Sequence, residues 1–428
     1  MSMSLMHHAA AMFKHARTFV LSGAVSVGVL LGAAIPAAPA QAQMFQMMGG
    51  GPGTDGSISK RSIQLYGKIL KFDQDQVDTM LTLHEGYASE HRGINEEMQG
   101  YMKRIQEEAQ ESQDWSVFQK ELPEKQREFA KRMLTAQEAF LADVKGLCTP
   151  EQEERWPSLE RHRKREMYLR IPVVAGVAVD VTDCLRRVGM APEEGKTTPE
   201  VNEALEQYEL TLDRKLGEVE RYLKEMEEKA MKMMENMDFQ KIQEMMKKFS
   251  DEAIVVRNIN RDGARRVSAL LPEETRAKFD AEVQRRSFPR VYRKAYVTQA
   301  IDAAEKLPDL DGDQKTAIAD IKAGYVRESG PLNDKWSVAI TEREDKEGSS
   351  MLSMMNWGGQ QQDNPVTQAR KARRELDKSY KDKLLAVLKD DQKSKLPKED
   401  AAPQGMNAGQ AEMMEDFDFD GEEEAEDE

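Results

Sequence analysis

A stretch of twenty-four residues returns, without a gap, 238 positions further along the chain. Residues 72–95 read FDQDQVDTMLTLHEGYASEHRGIN, and residues 310–333 read LDGDQKTAIADIKAGYVRESGPLN. Asp73, Asp75, Gln76, Gly86, Tyr87, Glu90 and Asn95 meet the same residue types at Asp311, Asp313, Gln314, Gly324, Tyr325, Glu328 and Asn333. A second block aligns Phe140, Val144, Cys148, Gln152 and Trp156 with Tyr380, Leu384, Leu388, Gln392 and Leu396, at an offset of 240. That spacing suits two periods of about 120 residues. The middle copy shows as LPEETRAKF (Leu271–Phe279) opposite TPEQEERW, and as DFQK at Asp238 opposite VFQK at Val117. Such a chain is expected to fold as tandem copies of one supersecondary unit, here at 57–172, 173–289 and 290–398.

Within a unit the apolar positions are helical. Met80, Leu83 and Tyr87, then Phe140, Val144 and Cys148, follow the three-and-four spacing of one buried helix face. Helices are expected from about Asp73 to Ala109 and from Pro123 to Leu147, with another after Thr149. The strings DQDQ, TPEQ and DGDQ have the form of capping boxes, with Asp73, Thr149 and Asp311 as caps and Gln76, Gln152 and Gln314 three residues on. Leu271 and Lys389 stand where a cap is due and cannot complete the box, so those helices are expected to fray or to start one residue later. With 32% charged and 6% aromatic residues, the composition agrees with long helices. The fold class is therefore all-α, as elongated tandem helical-hairpin units.

The ends read differently. Lys14, His15 and Arg17 precede the apolar run FVLSGAVSVGVLLGAAIPAAPA, and Ala40-Gln41-Ala42 closes it, the pattern of a secretory signal peptide over residues 1–42. Cleavage near Ala42 would leave a Gly/Met-rich linker at 43–56 and place the protein in the periplasm or outside the cell, with no integral membrane span. After Lys398 there is no basic residue and there are thirteen acids, so 399–428 reads as a disordered acidic tail. The chain carries −15, and most of that is the tail; the body is close to balance. Neither part has the basic excess of a nucleic-acid binder.

The strings FDQDQ, CTPEQ, LDGDQ and LKDDQ, on helical hairpins in an exported chain, resemble the L-T-x-x-Q signature of the Spy and CpxP family. The resemblance implies ATP-independent holding of unfolded or envelope protein clients, or envelope and metal-stress sensing. The family's usual protein is a single hairpin that dimerises; here three fused units take its place.

Methionine is unusually clustered. Pairs at Met233-Met234, Met245-Met246 and Met354-Met355 fall near the expected hairpin tips. Flexible thioethers fit a helical core, a promiscuous client surface or a soft ion such as Cu(I). The three readings stay open. For the client surface the candidates are Trp115, Phe118, Met233, Met234, Met237, Phe239, Met354, Met355 and Trp357; for the metal, Met231, Met233, Met234 and Met237. His84 and His91, seven apart beside Glu85 and Glu90, read as a solvated polar face. Cys148 and Cys184 are an even pair in an exported chain, for which a disulfide and a buried thiol are both open. No catalytic constellation and no organic cofactor is indicated. The expected function is that of an exported non-enzymatic binding protein holding unfolded clients, with soft-metal binding or a structural helical spacer as alternatives.

Overall fold

The computed structural model describes residues 57–114, 116, 121–170, 173–235, 239–349 and 364–398, without the side chains of 227, 228, 230–235 and 239. The expected signal segment, the linker and the acidic tail lie outside the described residues. Those that are described form an all-α structure with no strand. Its helices are α1 (Lys60–Leu70), α2 (Gln74–Ser112), α3 (Leu122–Gly146), α4 (Pro150–Glu153), α5 (Trp156–Tyr168), α6 (Val181–Arg187) and α7 (Pro199–Glu235). They continue with α8 (Phe239–Leu270), α9 (Glu273–Ser287), α10 (Pro289–Tyr292), α11 (Tyr296–Glu305), α12 (Gly312–Glu347), α13 (Pro365–Val387) and α14 (Asp390–Lys393). None of them is long and apolar enough to cross a membrane.

Three pairs of long helices organise the chain: α2 with α3, α7 with α8, and α12 with α13. Each pair is antiparallel. In the middle pair Tyr208 bonds Asn260 while Tyr222 bonds the carbonyl of Met245, so numbers rise on one helix as they fall on the other. The seam follows the sequence period: Met80, Tyr87 and Ile94 are buried at intervals of seven on α2, facing Met133, Ala136, Phe140 and Val144 on α3. At about 1.5 Å per residue, the 39 residues of α2 run roughly 58 Å, and two helices over that length can enclose only a thin core.

The apolar residues accordingly divide into separate cores. Ile58 to Leu159 make the first, Tyr168 to Phe279 the second, and Val297 to Leu388 the third. Tyr168 and Leu169 join the middle core, although the repeat placed them in the first unit. The middle unit also differs at its front. Asp73 precedes Tyr87 by fourteen residues and Asp311 precedes Tyr325 by fourteen, whereas Thr198 precedes Tyr208 by ten. The deficit of four is about one helical turn, which keeps the tyrosine on the same face. This is why the middle copy aligns poorly by sequence alone.

Every unit begins with a short helix that periodicity did not announce: α1, α6 and α11. In the first two units the long helix's tyrosine fixes it, the hydroxyl of Tyr87 accepting from Ile58 N and that of Tyr208 from Val181 N, each at 3.3 Å. In the third, Tyr325 instead donates to Asp377 at 2.8 Å.

One open question is decided and one expectation is corrected. Cys148 and Cys184 are free thiols. Cys148 packs on the first core and Cys184 lies fully buried in the second, so no disulfide joins the units. Burial pushes both thiols above their ordinary value, which leaves them poor nucleophiles. His84 and His91 are buried, not a solvated face. His84 Nε2 lies 2.6 Å from the carbonyl of Ile58, and its ring packs against Phe140 and Tyr87, so this imidazole belongs to the seal between α1 and α2.

Candidate functional site

The predicted caps form, and they do more than cap. Asp73 accepts from Gln76 N at 2.9 Å and Thr149 from Gln152 N at 3.4 Å, while each glutamine's Oε1 accepts from its own cap's N–H. The antiparallel hairpin then brings the two helix starts together. Gln76 Nε2 donates to Gln152 Oε1 at 2.8 Å and Gln152 Nε2 donates back to Gln76 Oε1 at 2.9 Å, a cyclic amide pair. The remaining donors reach across: Gln76 to the carbonyl of Leu147 at 2.7 Å and Gln152 to that of Lys71 at 3.0 Å. Each amide thereby uses both donors and both lone pairs. The chemistry requires glutamine, since a glutamate here would set two acceptors against each other.

Unit three repeats the device. Gln314 and Gln392 pair at 2.8 and 3.3 Å, with Gln314 donating to the carbonyl of Val387 and Gln392 to that of Asp309. Gln392 also accepts from Lys389 N at 2.9 Å; the lysine ammonium cannot accept a bond, so only half of that box exists. The middle unit has no such pair. Val201 occupies the N3 position after Thr198, and α9 starts after Pro272, one residue beyond Leu271. There Arg276 takes the exposed carbonyls instead, donating to Ser268 and Leu271 at 2.9 Å.

The second feature is a cleft of about 860 Å³ where the three units meet. Helices α1 and α5 of the first unit, α6 and α9 of the second, and α11 to α13 of the third supply its walls. Arg165 on α5, 3% exposed, crosses to the middle unit, with Nε 3.0 Å from Asp180 and Nη2 3.0 Å from Glu209. Burial alone would push the Asp180 carboxyl up, but the guanidiniums of Arg165 and Arg186 hold it far below its usual range. Glu166, likewise partly buried, is held down at about 2 by His162 and by the hydroxyls of Tyr66 and Ser62, which donate at 2.7 and 2.8 Å. These contacts join α1 to α5 and α5 to the middle unit. No sequence signal marked them, because their residues lie far apart in the chain and carry no repeat.

The side chains of all the residues assigned from sequence to clients or metal escape this description. Trp115, Phe118, Met237, Met354, Met355 and Trp357 lie outside the described residues, as do the side chains of Met231, Met233, Met234 and Phe239. The helix backbone of α7 does run through Met231, Met233 and Met234, to the end of the middle hairpin. Among the described residues, no three His, Cys, Asp or Glu side chains cluster as a metal site would need. Compared with family models, with curated proteins and with solved structures, the chain matches none.

Proposed function

We propose that this chain is an exported, non-enzymatic holding protein, which binds unfolded or envelope protein clients without nucleotide in the manner of the Spy and CpxP family that its motifs resemble. The observation that carries the reading is the paired-glutamine clasp. The four strings behind the resemblance, which could each have been an isolated helix cap, act in pairs as one device in units one and three. A shared device of that kind supports relatedness better than a short motif does. Long charged helix faces such as those of α2 and α7 suit rapid, salt-sensitive encounter with clients, and the Met and aromatic residues assigned from sequence suit apolar contact. The test is aggregation of a chemically unfolded client, followed by light scattering, with purified protein at a near-stoichiometric ratio and no ATP. Suppression is expected. Unchanged aggregation at a several-fold excess of protein would refute the reading.

A further inference from the structure

We infer that the cleft between the three units is a binding site for a small, multiply charged anion of the phosphate class. Charge is the first argument. The lining contains ten arginines and lysines against four carboxylates, in a protein whose charge outside the acidic tail is close to balance. Basic groups are thus concentrated on one concave surface of a nearly balanced body, where low-dielectric walls strengthen the field on an entering anion.

Joining the units explains part of this cluster but not all of it. Glu209, Glu282 and Asp377 lie outside the lining and pair with Arg165, Arg285 and Arg373, which do line it. These carboxylates orient the guanidiniums, whose forks carry five donors each. Arg165 shows the surplus. Its Nε and Nη2 are taken by Asp180 and Glu209, while Nη1 is buried with no hydrogen-bond partner. His162, also lining the cleft and 4% exposed, faces Glu166 with Nε2 at 3.4 Å, while its Nδ1 has no hydrogen-bond partner. A buried donor left unpaired is destabilising, and an anion entering the cleft would satisfy it.

Size and placement define the ligand. The volume lies within the roughly 300–1,000 Å³ usual for small-molecule pockets, far above what one inorganic ion needs. Arg170 from the first unit and Arg293 from the third are exposed in the lining and carry no ion pair among the described residues. Donors therefore converge from separate units, which suits tetrahedral oxygens on more than one phosphate rather than one planar carboxylate. Soluble phosphoester and anionic lipid headgroup share that chemistry.

The experiment titrates the full chain with inorganic tripolyphosphate by calorimetry at low and physiological salt. Saturable single-site binding that weakens with salt is expected. The double variant R170E/R293E, at two exposed positions, should bind about tenfold more weakly or worse with an unchanged unfolding midpoint. Arg165→Met should abolish binding, but that variant also breaks a contact between units, so the surface pair decides. Vesicles with an anionic phospholipid separate the sources: retention that tripolyphosphate competes away indicates a lipid headgroup, and no retention indicates a soluble ligand. The inference is overturned if tripolyphosphate does not bind saturably, or if R170E/R293E binds equally well. It is also overturned if binding appears only after residues 399–428 are removed, because the acidic tail would then be the occupant.

Discussion

Gln392→Ala should be among the most damaging single polar substitutions in the third unit. Gln392 is fully buried and its partner Gln314 nearly so. The substitution removes the bond accepted from Lys389 N, the bond donated to the carbonyl of Asp309, and both amide–amide bonds to Gln314. At about 1 kcal/mol net per hydrogen bond, the loss is roughly 3–4 kcal/mol. In the first unit the same pair is part-exposed, and water can replace some of the lost bonds. Gln152→Ala should therefore cost only about 1–2 kcal/mol. Gln392→Glu sharpens the case, because a carboxylate has no donor for the carbonyl of Asp309 and turns the facing Gln314 Oε1 into a repulsive neighbour. At neutral pH it should destabilise more than alanine does, and the difference should shrink in acid as the carboxyl takes up a proton. Equilibrium urea unfolding, followed by far-UV circular dichroism, gives all three values. If Gln392→Ala lies within about 0.5 kcal/mol of the parent, or costs no more than Gln152→Ala, the clasp contributes little and the reasoning fails.

Stability should also depend on Glu344. It is buried, accepts from Ala175 N at 3.1 Å and stands 3.7 Å from Arg257 Nη1, whose Nη2 is closer to Asp345. Burial outweighs that shared charge and raises its carboxyl from 4.5 to about 7. Because the folded value exceeds the unfolded one, the folded protein binds the extra proton between those limits; stability should fall by up to about 3 kcal/mol as pH rises from 4.5 to 7. Glu344→Gln should flatten that slope in urea midpoints measured across the window, and an unchanged slope would exclude Glu344 as its source. Three glycines form an internal comparison. A Cβ at Gly263 would clash with the Tyr208 ring and one at Gly324 would meet the Tyr380 hydroxyl at 2.7 Å, whereas Gly86 has open space. Alanine should thus cost about 1–3 kcal/mol at Gly263, less at Gly324 where the overlap is smaller, and should stabilise by up to about 1 kcal/mol at Gly86. Thermal midpoints in any other order would contradict the packing. For the soft-metal reading, leucine at Met231, Met233, Met234 and Met237 should reduce copper retained after Cu(I) loading; equal copper in parent and variant removes the cluster as a site.

The repeat, the long helices and their caps were legible because each depends on residues a few positions apart or on a pattern that recurs. Asp73 with Gln76 and Asp311 with Gln314 are local devices, and a single sequence displays them. What the glutamines do next depends on tertiary contact over 76 residues, between Gln76 and Gln152, so the strings looked like caps alone. The cysteines stayed open, and the histidines were misjudged, for a related reason. A period of seven correctly put His84 and His91 on one helix face, but charged neighbours suggested solvent, when the carbonyl of Ile58 and the ring of Phe140 close over His84. Helix α1 itself is eleven residues with no repeat counterpart strong enough to detect. The cleft was least legible, since its lining is gathered from all three units and no segment of it carries a motif.

The middle unit explains why the clasp is not universal. A clasp lets a hairpin close its own end while every amide group stays satisfied, which suits units one and three, each flanked by the repeat on one side only. The middle unit has neighbours on both sides and the most extensive of the described apolar cores, reaching from Tyr168 to Phe279. Val201 and Leu271 are almost fully buried within it, and Arg276 satisfies the helix-end carbonyls that a glutamine would otherwise take. Apolar closure is then self-sufficient, and restoring half a clasp should harm it. Val201→Gln would bury an amide without its partner, at a cost of about 2 kcal/mol or more, even though it makes the middle unit look more like the other two. Gln76→Val at the corresponding N3 position should be harmful too, because it strands Gln152. If urea unfolding found Val201→Gln neutral or stabilising, the three units would share one closing mechanism and the division between polar and apolar ends would be wrong.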